Sequence, residues 1–226
     1  MNKSIYINLI IIIIALIGIV TNAGANDIEN KFIAAGLVDV NTIDNTIQVD
    51  LVNSNSEKNY FRENYYSGLN KCYLRKDVAV KLSQAQKLLK SNYPELSLQT
   101  LDCARPRSVS AKMYEKMKGT KYEKYVANPK TGSMHNYGIA VDITIVDSSG
   151  KELDMGFTPF RKSDIEIYWQ FAKMKLGKKL TKQQKANLQI LSDTMINSGF
   201  IPLSHEWCHF DGMPKDQARK MYKIIE

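Results

Sequence analysis

The sequence predicts an α+β fold: one domain in which helices flank a small, mainly antiparallel sheet. Three observations carry that prediction. Helix-like and strand-like segments are mixed along the chain without regular β-α-β alternation. The stretch Gly138 to Val146 (GIAVDITIV) has the β-branched density of a central strand. No internal repeat or low-complexity linker divides the 226 residues.

The elements follow in order. The chain opens MNKSIYINLIIIIIALIGIVTNAGAND. Lys3 supplies a positive charge, residues 5–20 form an almost unbroken apolar run, and Ala23-Gly24-Ala25 offers the small residues that a signal peptidase reads. Residues 1–25 are expected to be a secretory signal peptide and residues 26–226 the mature domain, exported to the periplasm or beyond the cell. The apolar run is short for a membrane span, which needs roughly 20 apolar residues. No stable span is expected after cleavage. Residues 27–70 are polar and strand-poor, except that the alternation from Thr46 to Leu51 predicts a short strand. Val78, Leu82, Ala85, Leu88 and Leu89 recur at helical spacing, which predicts a helix over Val78–Lys90 with Asp77 as its N-cap. Leu96 to Leu101 alternates and predicts a strand. Helices are expected over Ser108–Lys118, Asp164–Lys175 and Lys182–Asn197, with Gly199 ending the last. Phe200 to Phe210 reads as one strand or two short ones. Pro214–Ile225 reads as a closing helix with proline near its first turn.

The formal net charge is +8. The first reading of that excess is a solvated surface. If it has a partner, anionic cell-wall polymers or lipid headgroups suit an exported protein better than nucleic acid does. The three cysteines are Cys72, Cys103 and Cys208. Export permits one disulfide, and Cys72–Cys103 is the expected pair. Cys208 is expected to be a packed thiol, because no spare histidine is available to activate it.

Histidine is the scarcest informative residue. His135, His205 and His209 lie within two short segments, SMHNYGIAVD (133–142) and SHEWCHFDG (204–212). Such confinement raises a metal site, which for zinc catalysis needs three protein ligands, an open position and a nearby base. Two assignments are open. In the first, His205 and His209 are ligands with Glu206 as base, the H-E-x-x-H arrangement, which requires a regular helix. Pro202, Gly212 and Pro214 confine such a helix to about two turns, and Trp207 and Phe210 favour extended chain. In the second, His135, Asp142 and His209 are ligands with Glu206 as base. Asp142 would then project from the GIAVDITIV strand, on the face shared by Ala140 and Thr144, where an unpaired carboxylate would be costly. Glu206 and His209 are three apart, so an ideal strand would put them on opposite faces. The second assignment therefore needs a turn or bulge between them.

The residues also carry a resemblance. Ser133, His135, Gly138, Ala140 and Asp142 spell S-x-H-x-x-G-x-A-x-D, and Glu206, His209 and Phe210 spell E-x-x-H-F. Together they resemble the zinc D-alanyl-D-alanine peptidases, and within these the D-alanyl-D-alanine dipeptidases associated with vancomycin resistance. LVDVNTIDNTIQVDL (37–51), CYLRKDVAVKL (72–82), LDCARP (101–106) and LDMG (153–156) resemble further segments of that family, so the likeness runs over roughly residues 36–213. The resemblance implies one zinc ion per chain, on His135, Asp142 and His209. It implies Glu206 as general base and later proton donor, Arg105 as the positive group at the transition state, and Ser133 as a substrate-binding residue. It gives His205 no role. The implied reaction is hydrolysis of the dipeptide D-alanyl-D-alanine to two D-alanines, so the partner is a small D,D-dipeptide that peptidoglycan can supply. Two alternatives share the metal site: a D,D-carboxypeptidase trimming peptidoglycan stem peptides, and a non-enzymatic zinc-stabilised cell-wall binding module. This chain departs from the family pattern at Ala104, where the family has tyrosine, at Phe157, an insertion in the D-M-G turn, and at Arg161, where an acid is common. These departures bear on selectivity.

Overall fold

The computed structural model describes residues 24–123, 126–157, 180–204 and 206–226. The architecture is α+β, as expected. Strand β1 (Leu37–Asp39) pairs antiparallel with β3 (Tyr73–Arg75) in a small two-stranded sheet. The main sheet has the order β2-β4-β5-β7-β6, from β2 (Gln48–Val49), β4 (Ser97–Asp102), β5 (Ala140–Val146), β6 (Ile201–Leu203) and β7 (Glu206–Asp211). The short edge strand β2 runs parallel to β4, and the other pairings are antiparallel.

Among the described residues the α-helices are α1 (residues 24–34), α2 (Lys76–Asn92), α3 (Arg107–Met117), α4 (Lys182–Asn197) and α5 (Lys215–Met221). On α2 the stripe Val78, Leu82, Ala85 and Leu89 is buried in one core with Leu98 of β4 and Val141, Ile143 and Ile145 of β5. Each of these larger side chains contributes about 1.5–3 kcal/mol by leaving water. All seven residues of β5 are buried, so both faces of that strand are covered. The sequence had suggested one packed apolar face and one presenting a carboxylate.

Several boundaries differ from expectation for local reasons. Helix α2 starts before Asp77, whose carboxylate sits in the first turn rather than at the cap, where it meets the helix dipole. Helix α1 lies largely in a stretch read only as polar and strand-poor, with no helix expected there; Ile28 and Phe32, four residues apart, seat it on the core. Helix α4 matches its prediction. Its start is fixed by a reciprocal cap in which Thr181 Oγ1 accepts from Gln184 N–H (3.1 Å) and Gln184 Oε1 accepts from Thr181 N–H (2.9 Å). Helix α5 ends at Met221, short of Ile225. The tail instead bonds sideways: Ile225 N–H donates to Asn136 C=O (2.8 Å), and Ile225 C=O accepts from Arg107 N–H (2.7 Å). The helix expected over Asp164–Lys175 lies outside the described residues, as does the apolar run 5–20. Among the described residues no helix is long and apolar enough to cross a membrane.

Cys72 and Cys103 form a disulfide with their Cα atoms 5.5 Å apart. The bridge ties the residue before β3 to the residue after β4. Cys208 is a buried free thiol.

Candidate metal centre

Register builds the centre. Asp142 of β5 stands directly opposite His209 of β7, and Asp102 of β4 stands opposite Asp142. Facing residues on adjacent antiparallel strands share a sheet face. Asp102, Asp142 and His209 therefore form a row across the three central strands. His135 reaches the same place from the 3-10 turn Met134–Tyr137 that precedes β5. Ser133 caps that turn, and Gly138 ends it at φ 70°. A side chain at Gly138 would be strained by that φ and would press on Leu37 (a Cβ would lie 2.8 Å from its Cδ2).

His135 Nε2, Asp142 Oδ1 and His209 Nδ1 converge. Their separations are 3.1 Å between the two nitrogens, 3.1 Å from His209 to Asp142 and 3.4 Å from His135 to Asp142. The other ring nitrogens fix what these atoms are. His135 Nδ1 lies 2.7 Å from Cys103 C=O, which can only accept, so Nδ1 carries the proton. His209 Nε2 lies 2.9 Å from Asp211 Oδ1, and donating to that carboxylate places its proton on Nε2. Two imidazole lone pairs and a carboxylate oxygen are thus aimed at one point. Such an arrangement is repulsive without a cation at its centre.

A tetrahedral ion with bonds of about 2.0–2.2 Å keeps its donors about 3.3–3.6 Å apart. The observed triangle is close to that size. The donor set therefore fits a small divalent metal ion, and the outer partners Cys103 C=O and Asp211 supply the orientation such ligands need. With only protons available, the electrostatics record the same demand. Burial works against the charge on His209. Bonds to Asp142 and Asp211, with the charges of Asp142 and Glu206, outweigh it and push the imidazole up to about 10. Burial likewise opposes ionisation of Asp142, but His135 and His209 hold its carboxyl well below the usual range.

Glu206 stands beside the triangle, with Oε2 3.7 Å from His209 Nδ1. Its side chain is 34% exposed whereas that of His209 is 6% exposed, so the carboxylate reaches toward solvent from a buried centre. The parity problem between Glu206 and His209 is solved by a bulge. Pro202 pairs with Phe210, but the next residue, Leu203, pairs with Glu206. Trp207, Cys208 and His209 thus bulge out between two adjacent partners on β6. Strand β7 runs extended from Glu206, which removes the helix that the H-E-x-x-H assignment requires. His205 itself lies outside the described residues.

Arg105 is brought close by Asp102. Its Nε donates to Asp102 Oδ2 at 2.9 Å and its Nη2 forms an ion pair with the same oxygen. Asp102 also accepts from Tyr66 O–H (2.7 Å) and Asn53 Nδ2 (3.1 Å). Burial opposes the charge on Arg105, but Asp102, Tyr66 and Asp142 hold the guanidinium firmly protonated. Arg107, two residues on, is exposed and pairs with Glu226. Ser133 Oγ accepts from His135 N–H at 3.3 Å. Cys208 takes no part in the triangle; burial, with the charges of Asp142 and Glu206, pushes its thiol up.

Sequence reasoning left Asp102, Asp211, Asn136 and Tyr66 without roles. Asp211 was within reach of it, since a residue two beyond a ligand on a strand shares its face. Tyr66 and Asp102, 36 positions apart, had no local signal.

Comparison with known proteins agrees with this geometry. A family model described as D-ala-D-ala dipeptidase, of the M15 peptidases, matches residues 33–225. The D-alanyl-D-alanine dipeptidase of Escherichia coli (strain K12) is 26% identical over 143 residues, covering 62% of this chain and 67% of that protein. The matched span takes in the triangle, Glu206 and Arg105, and the chain belongs to the D-ala-D-ala dipeptidase family of M15 peptidases.

Proposed function

We propose that the protein is a zinc dipeptidase that hydrolyses D-alanyl-D-alanine to two D-alanines. The observation that carries the reading is the buried triangle of His135, Asp142 and His209 donor atoms with the Glu206 carboxylate 3.7 Å from His209 Nδ1. Two nitrogens and one oxygen are the protein donor set of a catalytic zinc site, which keeps its fourth position for water or substrate. Zinc bound there would supply a Lewis acid that polarises the scissile carbonyl and acidifies water toward a pKa of about 7.

The protein's own groups supply the rest. Glu206 takes the proton from the attacking water and returns it to the leaving amine, as a carboxylate within hydrogen-bond reach of both can do. Arg105 faces the charge that develops on the carbonyl oxygen. Its guanidinium stays charged at any working pH, and Asp102 fixes its position before substrate arrives. Ser133 Oγ already accepts from His135 N–H, so its own proton is available to a substrate acceptor. Export to an oxidising compartment, supported by the buried Cys72–Cys103 bridge, brings the enzyme to where D,D-peptides of the cell wall occur.

The test is release of D-alanine from D-Ala-D-Ala by the purified mature chain, with and without a chelator, alongside Glu206→Gln. Chelator-sensitive release that Glu206→Gln abolishes is the expected result. Release only from longer stem peptides would replace the dipeptidase with a D,D-carboxypeptidase. Wall binding without turnover by the zinc-loaded protein would make it a binding module.

A further inference from the structure

We propose that Asn136 is the positioning residue that sets Arg105 against the metal-ligand turn. The inference rests on the peptidase reading above.

Asn136 is fully buried beside His135, and its polar atoms join four segments. Its Oδ1 accepts from Ser133 N–H at 2.7 Å. Its Nδ2 donates to Arg105 C=O at 2.8 Å and to Ser110 Oγ, on α3, at 2.9 Å. Its backbone C=O accepts from Ile225 N–H in the C-terminal tail, and its N–H donates to Ser133 C=O at 2.9 Å. Every side-chain hydrogen-bonding atom is used inside the protein, which is expensive to assemble and costly to break.

The pattern around Arg105 is specific. Arg105 N–H donates to His135 C=O at 3.0 Å, and Arg105 C=O accepts from Asn136 Nδ2. Two residues earlier, Cys103 C=O meets His135 Nδ1. The segments 103–105 and 135–136 are therefore laced by three bonds, and the Asn136 side chain supplies the rung to the Arg105 carbonyl. The far end of Arg105 is held separately by Asp102. With both backbone and guanidinium fixed, Arg105 has one position relative to His135. An amide is required at 136, because aspartate would set an acceptor against the Arg105 carbonyl.

Asn136→Asp removes that rung. A displacement of about 1 Å in a positioned group costs on the order of 100-fold in rate. The experiment measures kcat and KM on D-Ala-D-Ala for the wild type, Asn136→Asp, Arg105→Ala and the double variant, with metal per chain and thermal unfolding for each. The expected result is a kcat for Asn136→Asp about 100-fold down, KM within about 3-fold and metal retained. The double variant should be no slower than Arg105→Ala, because Asn136 acts through Arg105. A kcat near wild type, losses that multiply in the double variant, or loss of metal would overturn the proposal. Should Asn136→Asp not fold, Asn136→Ser removes the same rung without a buried charge, and the same pattern is expected. If the wild type does not cleave the dipeptide, the substrate reading fails independently. The Arg105 Nε–H resonance then decides: a shift in the Asn136 variant supports the positioning role, and an unchanged signal overturns it.

Discussion

Single residues here do more than their type suggests, because each is fixed by a partner on another element. His135 is a ligand candidate because its Nδ1–H donates to Cys103 C=O and leaves Nε2 with a lone pair, and His209 because its Nε2–H donates to Asp211 and leaves Nδ1 with one. Removing an outer partner should loosen the metal without removing a ligand, typically by 10–100-fold. Removing a ligand should empty the site. Metal content should therefore fall to near zero in His135→Ala and stay at one per chain in His205→Ala. Elemental analysis of the two dialysed variants checks this, and loss confined to His205→Ala would reverse the ligand assignment. The residues alone narrowed the scarce histidines to two candidate ligand sets, and the family resemblance favoured His135, Asp142 and His209, which the fold brings together. The supports of that triangle were not legible in the sequence. Asn136, Tyr66 and Asp102 are ordinary polar residues until the fold brings positions 30 and more apart into contact.

At the level of elements, register carries the chemistry. Asp102, Asp142 and His209 line up because β4, β5 and β7 pair antiparallel at one level. Glu206 joins them only because β7 bulges against β6. A one-residue change in phase sends a strand side chain to the opposite face. Transposing the pair, Glu206→Trp with Trp207→Glu, keeps composition and charge but moves the carboxylate out of phase. We expect metal to remain at one per chain and D-alanine release to vanish, measured on the same preparation. Periodicity revealed β5, α2 and α4, whose patterns are long and internally consistent. It could not fix the bulge, because strand alternation alone makes Glu206 and His209 incompatible and only pairing with β6 resolves the conflict. It also missed α1, whose anchors Ile28 and Phe32 are too few to outweigh the polar residues around them.

Across the whole molecule, the site lies where distant stretches of chain are tied together. The disulfide closes a sequence separation of 31 and anchors the segment that carries Asp102, the Cys103 carbonyl and Arg105. Closing such a loop stabilises the native state by about 3–4 kcal/mol in the chain-entropy view. Cys72→Ser with Cys103→Ser should cost about that much in denaturant unfolding and should lower metal affinity as well, because His135 leans on the same segment. An unchanged metal affinity would separate the bridge from the site. Cys208 then acquires a use unrelated to catalysis. It is the one cysteine outside the bridge, it lies in the central strand β7, and its environment disfavours the thiolate. Cys208 packs against Val52 and Leu101, with Trp207 beside them, so a thiol reagent reaches it when that cluster between β4 and β7 opens. The rate at which an alkylating label enters this position therefore counts how often the cluster opens, and comparing that rate with and without metal would time how firmly the ion latches the strands.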